Sequence, residues 1–160
     1  SGGTAATGVA PGTAIGTTAA FSITNPLSSG YNLVIWRASM GYVSGTMGAG
    51  VVHYLANTNT QLALPTGTAI TAVNCLLGSA TAAVARPLTT ATIASPTILR
   101  PFVSLGASLA STAVQPWQVV DEVAGEFVVS PGATLSLHAT AAGGSSPLVV
   151  YGMTWEEVAV

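Results

Sequence analysis

Two adjacent carboxylates, Glu156 and Glu157, stand near the end of the segment YGMTWEEVAV in a chain with only five Asp and Glu residues. A pair of acids is the minimum for general acid–base hydrolysis, but the two groups must face each other across a shared cleft at roughly 5–10 Å. The flanking alternation predicts a strand, in which neighbouring side chains point to opposite faces. Glu156 then falls with Val150 and Thr154, and Glu157 at the rim of the face carrying Val149, Tyr151, Met153 and Trp155. The pair is therefore not a catalytic dyad, and Glu157 is expected to meet Arg37 or Arg100 at the sheet end. An exposed ion pair of that kind contributes only about 0–1 kcal/mol.

The other chemistry-bearing residues are sparse. His53 and His138 lack the HxH or HExxH spacing of a metal site, and no GxSxG elbow accompanies the many Ser and Thr residues. Each histidine reads as a surface or interface side chain, with His138 on the polar face of its strand. The one local acidic cluster is DEVAGE, with Asp121, Glu122 and Glu126. Its Gly125 predicts a hairpin turn between Val120 and Phe127 rather than a calcium loop. A single cysteine, Cys75, makes neither an internal disulfide nor a structural zinc site, and is expected as a small buried hydrophobe. No glycine-rich phosphate loop leads into a helix, so no cofactor is expected. Trp36 and Trp155 fall on apolar strand faces and are expected in the core. Trp117, after Pro116 at a loop-to-strand boundary, is the tryptophan expected to be exposed.

The elements that must position these residues are strands. Short runs rich in Val, Ile, Leu, Thr and aromatics recur between Gly, Pro and Asn punctuation, with no sustained helical period. Candidate strands begin at Ala19, Asn32, Val51, Ala69, Thr97, Trp117, Glu126, Ala133 and Leu148. Eight to nine strands at this spacing predict an all-β, antiparallel β-sandwich over residues 19–160. Pro101 inside one run implies an edge strand or a bulge. Residues 1–18, rich in Gly, Thr and Ala, are expected to form a flexible arm ordered by a partner, and their composition is not that of a signal peptide.

Composition bounds the partners. The 160 residues are 49% hydrophobic and 5% charged, with three arginines and no lysine, against roughly 25% charged in ordinary domains. So few cations exclude a phosphate-tracking nucleic-acid footprint. No window is apolar and long enough to read as a helical bilayer span, since Thr71 to Ala85 is broken by Asn74, Gly78, Ser79 and Thr81. A surface of Thr, Ser, Gly and Asn repels its neighbours weakly and favours association. In NLVIWRASMGYV the residues Val34, Trp36, Ala38, Met40 and Tyr42 alternate on one face, while Leu33 and Ile35 crowd the other before Arg37 and Ser39. A second face that begins apolar and turns polar is expected where a neighbouring subunit covers part of a sheet. Leu33, Ile35, Arg37, Trp117 and His138 are accordingly the expected interface residues.

The segment GEFVVSPGATLSLHATAAGGSSPLVVYGMTWEEVAV, with its PG turn at Pro131 and Gly132, resembles the carboxyl end of virion structural proteins of tailed bacteriophages. SGYNLVIWRASMGYVSGTMGAG is similar in style, so the likeness covers about half the chain. The resemblance implies a small jelly roll or related sandwich. Such a protein is usually a homotrimer, attaches to the major capsid protein as a decoration or cement protein or belongs to a head or tail fibre, and is made in the host cytoplasm. It brings no catalytic residues. The rival expectations are a receptor- or glycan-binding module presenting an exposed aromatic, and a metal-dependent sandwich enzyme using His53, His138 and a carboxylate.

Overall fold

The runs of β-branched and aromatic residues form strands wherever their alternation supplies a buried face. The computed structural model describes residues 1–4, 7–57, 64–94, 96–105, 118–140 and 142–160. Its strands are β1 (Gly2–Thr4), β2 (Thr18–Thr24), β3 (Tyr31–Met47), β4 (Gly50–Asn57), β5 (Thr66–Ala69), β6 (Arg86–Thr92), β7 (Thr97–Leu105), β8 (Gln118–Glu122), β9 (Val128–Val129), β10 (Thr134–Thr140) and β11 (Gly144–Ala159). They build two antiparallel sheets. The smaller runs β1-β11-β3-β8, with β9 also on β3, and the larger runs β5-β6-β2-β10-β4-β7. The sheets pack as a β-sandwich.

The core lies between them. Leu33, Ile35, Ala38 and Met40 of β3 and Val149, Tyr151, Met153 and Trp155 of β11 meet Phe21 and Ile23 of β2, Val52 and Tyr54 of β4, and Leu135 and Leu137 of β10. Trp155 therefore lies in the core, as its alternation predicts. Pro101 sits on the edge strand β7 beside a register shift against β4, so its missing N–H costs no ladder bond.

Four local expectations change. The run from Ala69 is not a strand beyond that residue: β5 ends at Ala69, and Cys75 is exposed rather than buried. Asn74, whose side-chain oxygen accepts from the Leu76 N–H, instead starts a turn that carries Leu76 and Leu77 outward. Residues 1–4 are no free arm, because β1 pairs with β11 and Val9 bridges Val149 on the same chain. That pairing needs Gly152, where a Cβ would come within 2.6 Å of Thr4 Oγ1. Gly125 does not turn a hairpin. β8 and β9 run in the same direction along one edge of β3, pairing Glu122 with Arg37 and Val128 with Val34. Residues 123–127 bulge between them, with Ala124 and Gly125 both at positive φ.

Candidate interaction surface

The bulge on β8–β9 has a counterpart in β3. Against β11, Arg37 pairs with Thr154 while Ile35 pairs with Trp155, so Trp36 is an extra residue with no partner across the ladder. One extra residue reverses the facing of everything beyond it. Leu33 and Ile35 on one side of the bulge and Ala38 and Met40 on the other consequently share the buried face. This corrects the sequence expectation for Leu33 and Ile35. Both are fully enclosed in the chain's own core and offer no surface to a second subunit. The apparent change from apolar to polar along the second face is a phase slip within one strand.

The slip also turns two consecutive side chains outward. Trp36 is 45% exposed, contrary to the core position expected for it, and its indole Nε1 donates to Glu156 Oε2 at 3.3 Å. Arg37 points the same way and pairs with Glu122 at 2.6 Å, both side chains more than half exposed. Val120, Val128 and Val158 are exposed on the neighbouring strands β8, β9 and β11. The outer face of the smaller sheet is thus an apolar strip around one oriented indole, bordered by an acid and an internally neutralised ion pair.

The remaining acids are occupied in the fold. Arg100 of β7 reaches across the sandwich to Asp121 Oδ2 at 2.9 Å and Glu126 Oε2 at 2.8 Å, and its guanidinium lies 4.7 Å from the centre of the Tyr54 ring. Tyr54 donates its hydroxyl to the same Asp121 oxygen at 2.9 Å. Burial, then that hydrogen bond and the Asp121 charge, hold the Tyr54 phenol far above its usual range. Burial works against the Arg100 charge, but hydrogen bonds and charge from Asp121 and Glu126 outweigh it and raise its pKa. All three acids of DEVAGE are therefore paired with arginine, and no group of three metal-ligating side chains occurs among the described residues.

Glu157 meets neither Arg37 nor Arg100, contrary to expectation. Its carboxylate accepts from the backbone N–H groups of Val84 at 2.9 Å and Ala85 at 3.1 Å and from Trp155 Nε1 at 3.0 Å. It fastens the segment before β6 to the end of β11. Glu156, one residue earlier, faces the other way onto the Trp36 strip, so the two acids serve opposite sides of the sheet.

His138 is also displaced from its expected role. It lies on the polar outer face of the larger sheet but is only 2% exposed, opposite His53 in the ladder. Its Nε2 meets Ser136 Oγ at 3.1 Å, and His53 Nε2 meets Thr140 Oγ1 at 3.3 Å. Burial pulls the His138 pKa down to about 4. Neither ring Nδ1 has a hydrogen-bond partner, so neither imidazole is oriented by a carboxylate as a general base would be. Trp117 lies outside the described residues. Of the five expected interface residues, Arg37 is exposed on the strip, whereas Leu33, Ile35 and His138 are interior.

The signal for Trp36 was present in the sequence. Apolar residues at 33 and 35 and again at 38 and 40 are out of phase by one, and a single buried face accommodates both only if a residue between them bulges. No known protein family, characterised protein or solved structure matches this chain.

Proposed function

We propose that the protein is a non-enzymatic structural module that oligomerises and coats a larger protein assembly, as a decoration or cement protein on the capsid of a tailed bacteriophage. The observation that carries this reading is the exposed Trp36 strip on a surface almost without charge. Uncovered apolar surface organised around an oriented tryptophan is typical of a protein–protein contact, in which Trp commonly dominates the binding energy. A stable contact of standard size buries about 800 Å² per partner, and repeated weak contacts on a lattice add through avidity. The strand order β2-β10-β4-β7, with connections crossing between the layers, supports the jelly-roll form of the sandwich that the phage resemblance implies. The pairing of β5 and β6 beside β2 is an addition to it. A homotrimer seated on the major capsid protein is the assembly proposed.

Peptide mass spectrometry and electron microscopy of virions encoding this chain test the reading. The protein should be present in many copies on the particle surface, and its absence from purified virions overturns the proposal.

A second reading, as a glycan- or receptor-binding module of a fibre, is favoured by the same indole. An exposed aromatic ring with a carboxylate at its edge offers a stacking platform and a hydroxyl acceptor. Selective signals on a glycan array that vanish in Trp36→Ala would move the assignment to this class.

A further inference from the structure

Two features near the end of β11 are complementary. The first is the Trp36 indole with Glu156 beside it, a projecting apolar group next to an acid that has neither a cation nor a backbone N–H for a partner among the described residues. The second is an open cleft of about 520 Å³ lined by Pro26, Ile70, Ala72, Ala83 and Val84, with Arg86 among its walls. Arg86 is exposed and is the one arginine without an ion pair among the described residues. The cleft is roomy enough for an indole, its side chains apart from Arg86 are apolar, and its one charge is opposite to that of Glu156.

We propose that a second copy of this chain occupies the cleft, inserting Trp36 between the 69–72 and 82–85 segments and pairing its Glu156 with Arg86. Charge complementarity selects this occupant. Among the described residues there is one unpaired exposed carboxylate beside the largest exposed aromatic and one unpaired arginine beside the apolar cleft. Each apolar surface has its unpaired charge where the other would meet it. Leu27, Tyr31 and Val158 are exposed around the same end of the sandwich and supply further apolar area for the contact. Knob and cleft are different surfaces, so the contact is head-to-tail and closes into a ring when the rotation permits. Glu157 has a supporting part, since its bonds to the Val84 and Ala85 N–H groups hold one wall of the cleft against β11.

This inference rests on the self-association reading above, and the experiment separates the two. Sedimentation or light scattering across a concentration series is run on the wild type, Trp36→Ala, Glu156→Arg, Arg86→Glu and the double variant Glu156→Arg/Arg86→Glu. Circular dichroism verifies that each, altered only at an exposed position, remains folded. Trp36→Ala should weaken association at least about 30-fold. Each single charge reversal should weaken it about 10-fold, and the double variant should recover most of that loss because the pair is restored in reverse. An oligomeric wild type indifferent to Trp36→Ala, or a double variant no better than the weaker single variant, overturns this interface and leaves self-association standing. A wild type that stays monomeric at its highest soluble concentration overturns both.

Discussion

The outer faces of the two sheets invert the usual relation between polarity and exposure. On the larger sheet the face away from the core carries Ser22, Thr24, Thr134, Ser136 and His138, and all of them are buried. On the smaller sheet it carries Trp36, Val120, Val128 and Val158, and all of them are exposed. Hydroxyls make much of the first arrangement tolerable, as in the 2.8 Å contact between Thr24 and Thr134, because a buried polar group that keeps a hydrogen bond loses little, while Ser22 Oγ and His138 Nδ1 stay without a partner. Nothing among the described residues relieves the second. A buried polar face presents little to a partner, whereas an exposed apolar one is an unmet contact, and this contrast directs the functional reading to the smaller sheet.

The comparison is broken most forcefully through the two tryptophans that flank it. Trp155→Ala should cost about 3–5 kcal/mol in urea unfolding, because it empties a core site shared by both sheets. Trp36→Ala should leave folding stability within about 0.5 kcal/mol and act on association alone. Equal losses in the two variants would mean that Trp36 belongs to the fold and not to a surface.

The buried polar face is tested by acid. The folded His138 binds a proton only near pH 4, whereas in the unfolded chain it does so near the ordinary 6.5. Between those values the unfolded state holds more protons, so stability falls as the pH drops, by up to about 3 kcal/mol. His138→Leu should flatten the difference in stability between pH 7 and pH 4.5. A variant with an unchanged pH slope would show that this face is open to water.

Breaking the link between the sheets has a smaller effect. Asp121→Asn removes one of the two carboxylates on Arg100 and weakens the acceptor of the Tyr54 hydroxyl. Because the ion pair is partly exposed, the cost should be about 1–2 kcal/mol in denaturant unfolding, and a loss below the error of measurement would mark it as ornamental. Glu157→Gln should be milder still, at about 1 kcal/mol, since the amide keeps one acceptor oxygen for Val84 or Ala85. Its signature is local, appearing as faster hydrogen exchange at those two amides.

Much of the architecture was legible because it is written in short-range alternation. Leu135 and Leu137, or Tyr151, Met153 and Trp155, announce a strand and its buried face without reference to anything distant. His138 was misplaced by the same rule. Alternation identifies which face a residue is on, and says nothing about whether that face meets water. Glu157 was misjudged because its partners are backbone N–H groups 72 and 73 residues away, which have no signature in residue types. Cys75 escapes the rule because an apolar run of that length fits a strand and a solvent-facing turn alike.

By itself the sequence determined a chain of antiparallel strands, a nearly chargeless surface and the opposite facing of Glu156 and Glu157, since each of these follows from composition or from period two. Only the tertiary structure decided that Trp36 faces outward while Leu33 and Ile35 face inward. That outcome depends on a one-residue slip held in place by β11 on one side and residues 123–127 on the other. The cost of a bulge is local, but what compensates it is the burial of both apolar halves of β3 against distant strands, which local pattern cannot register.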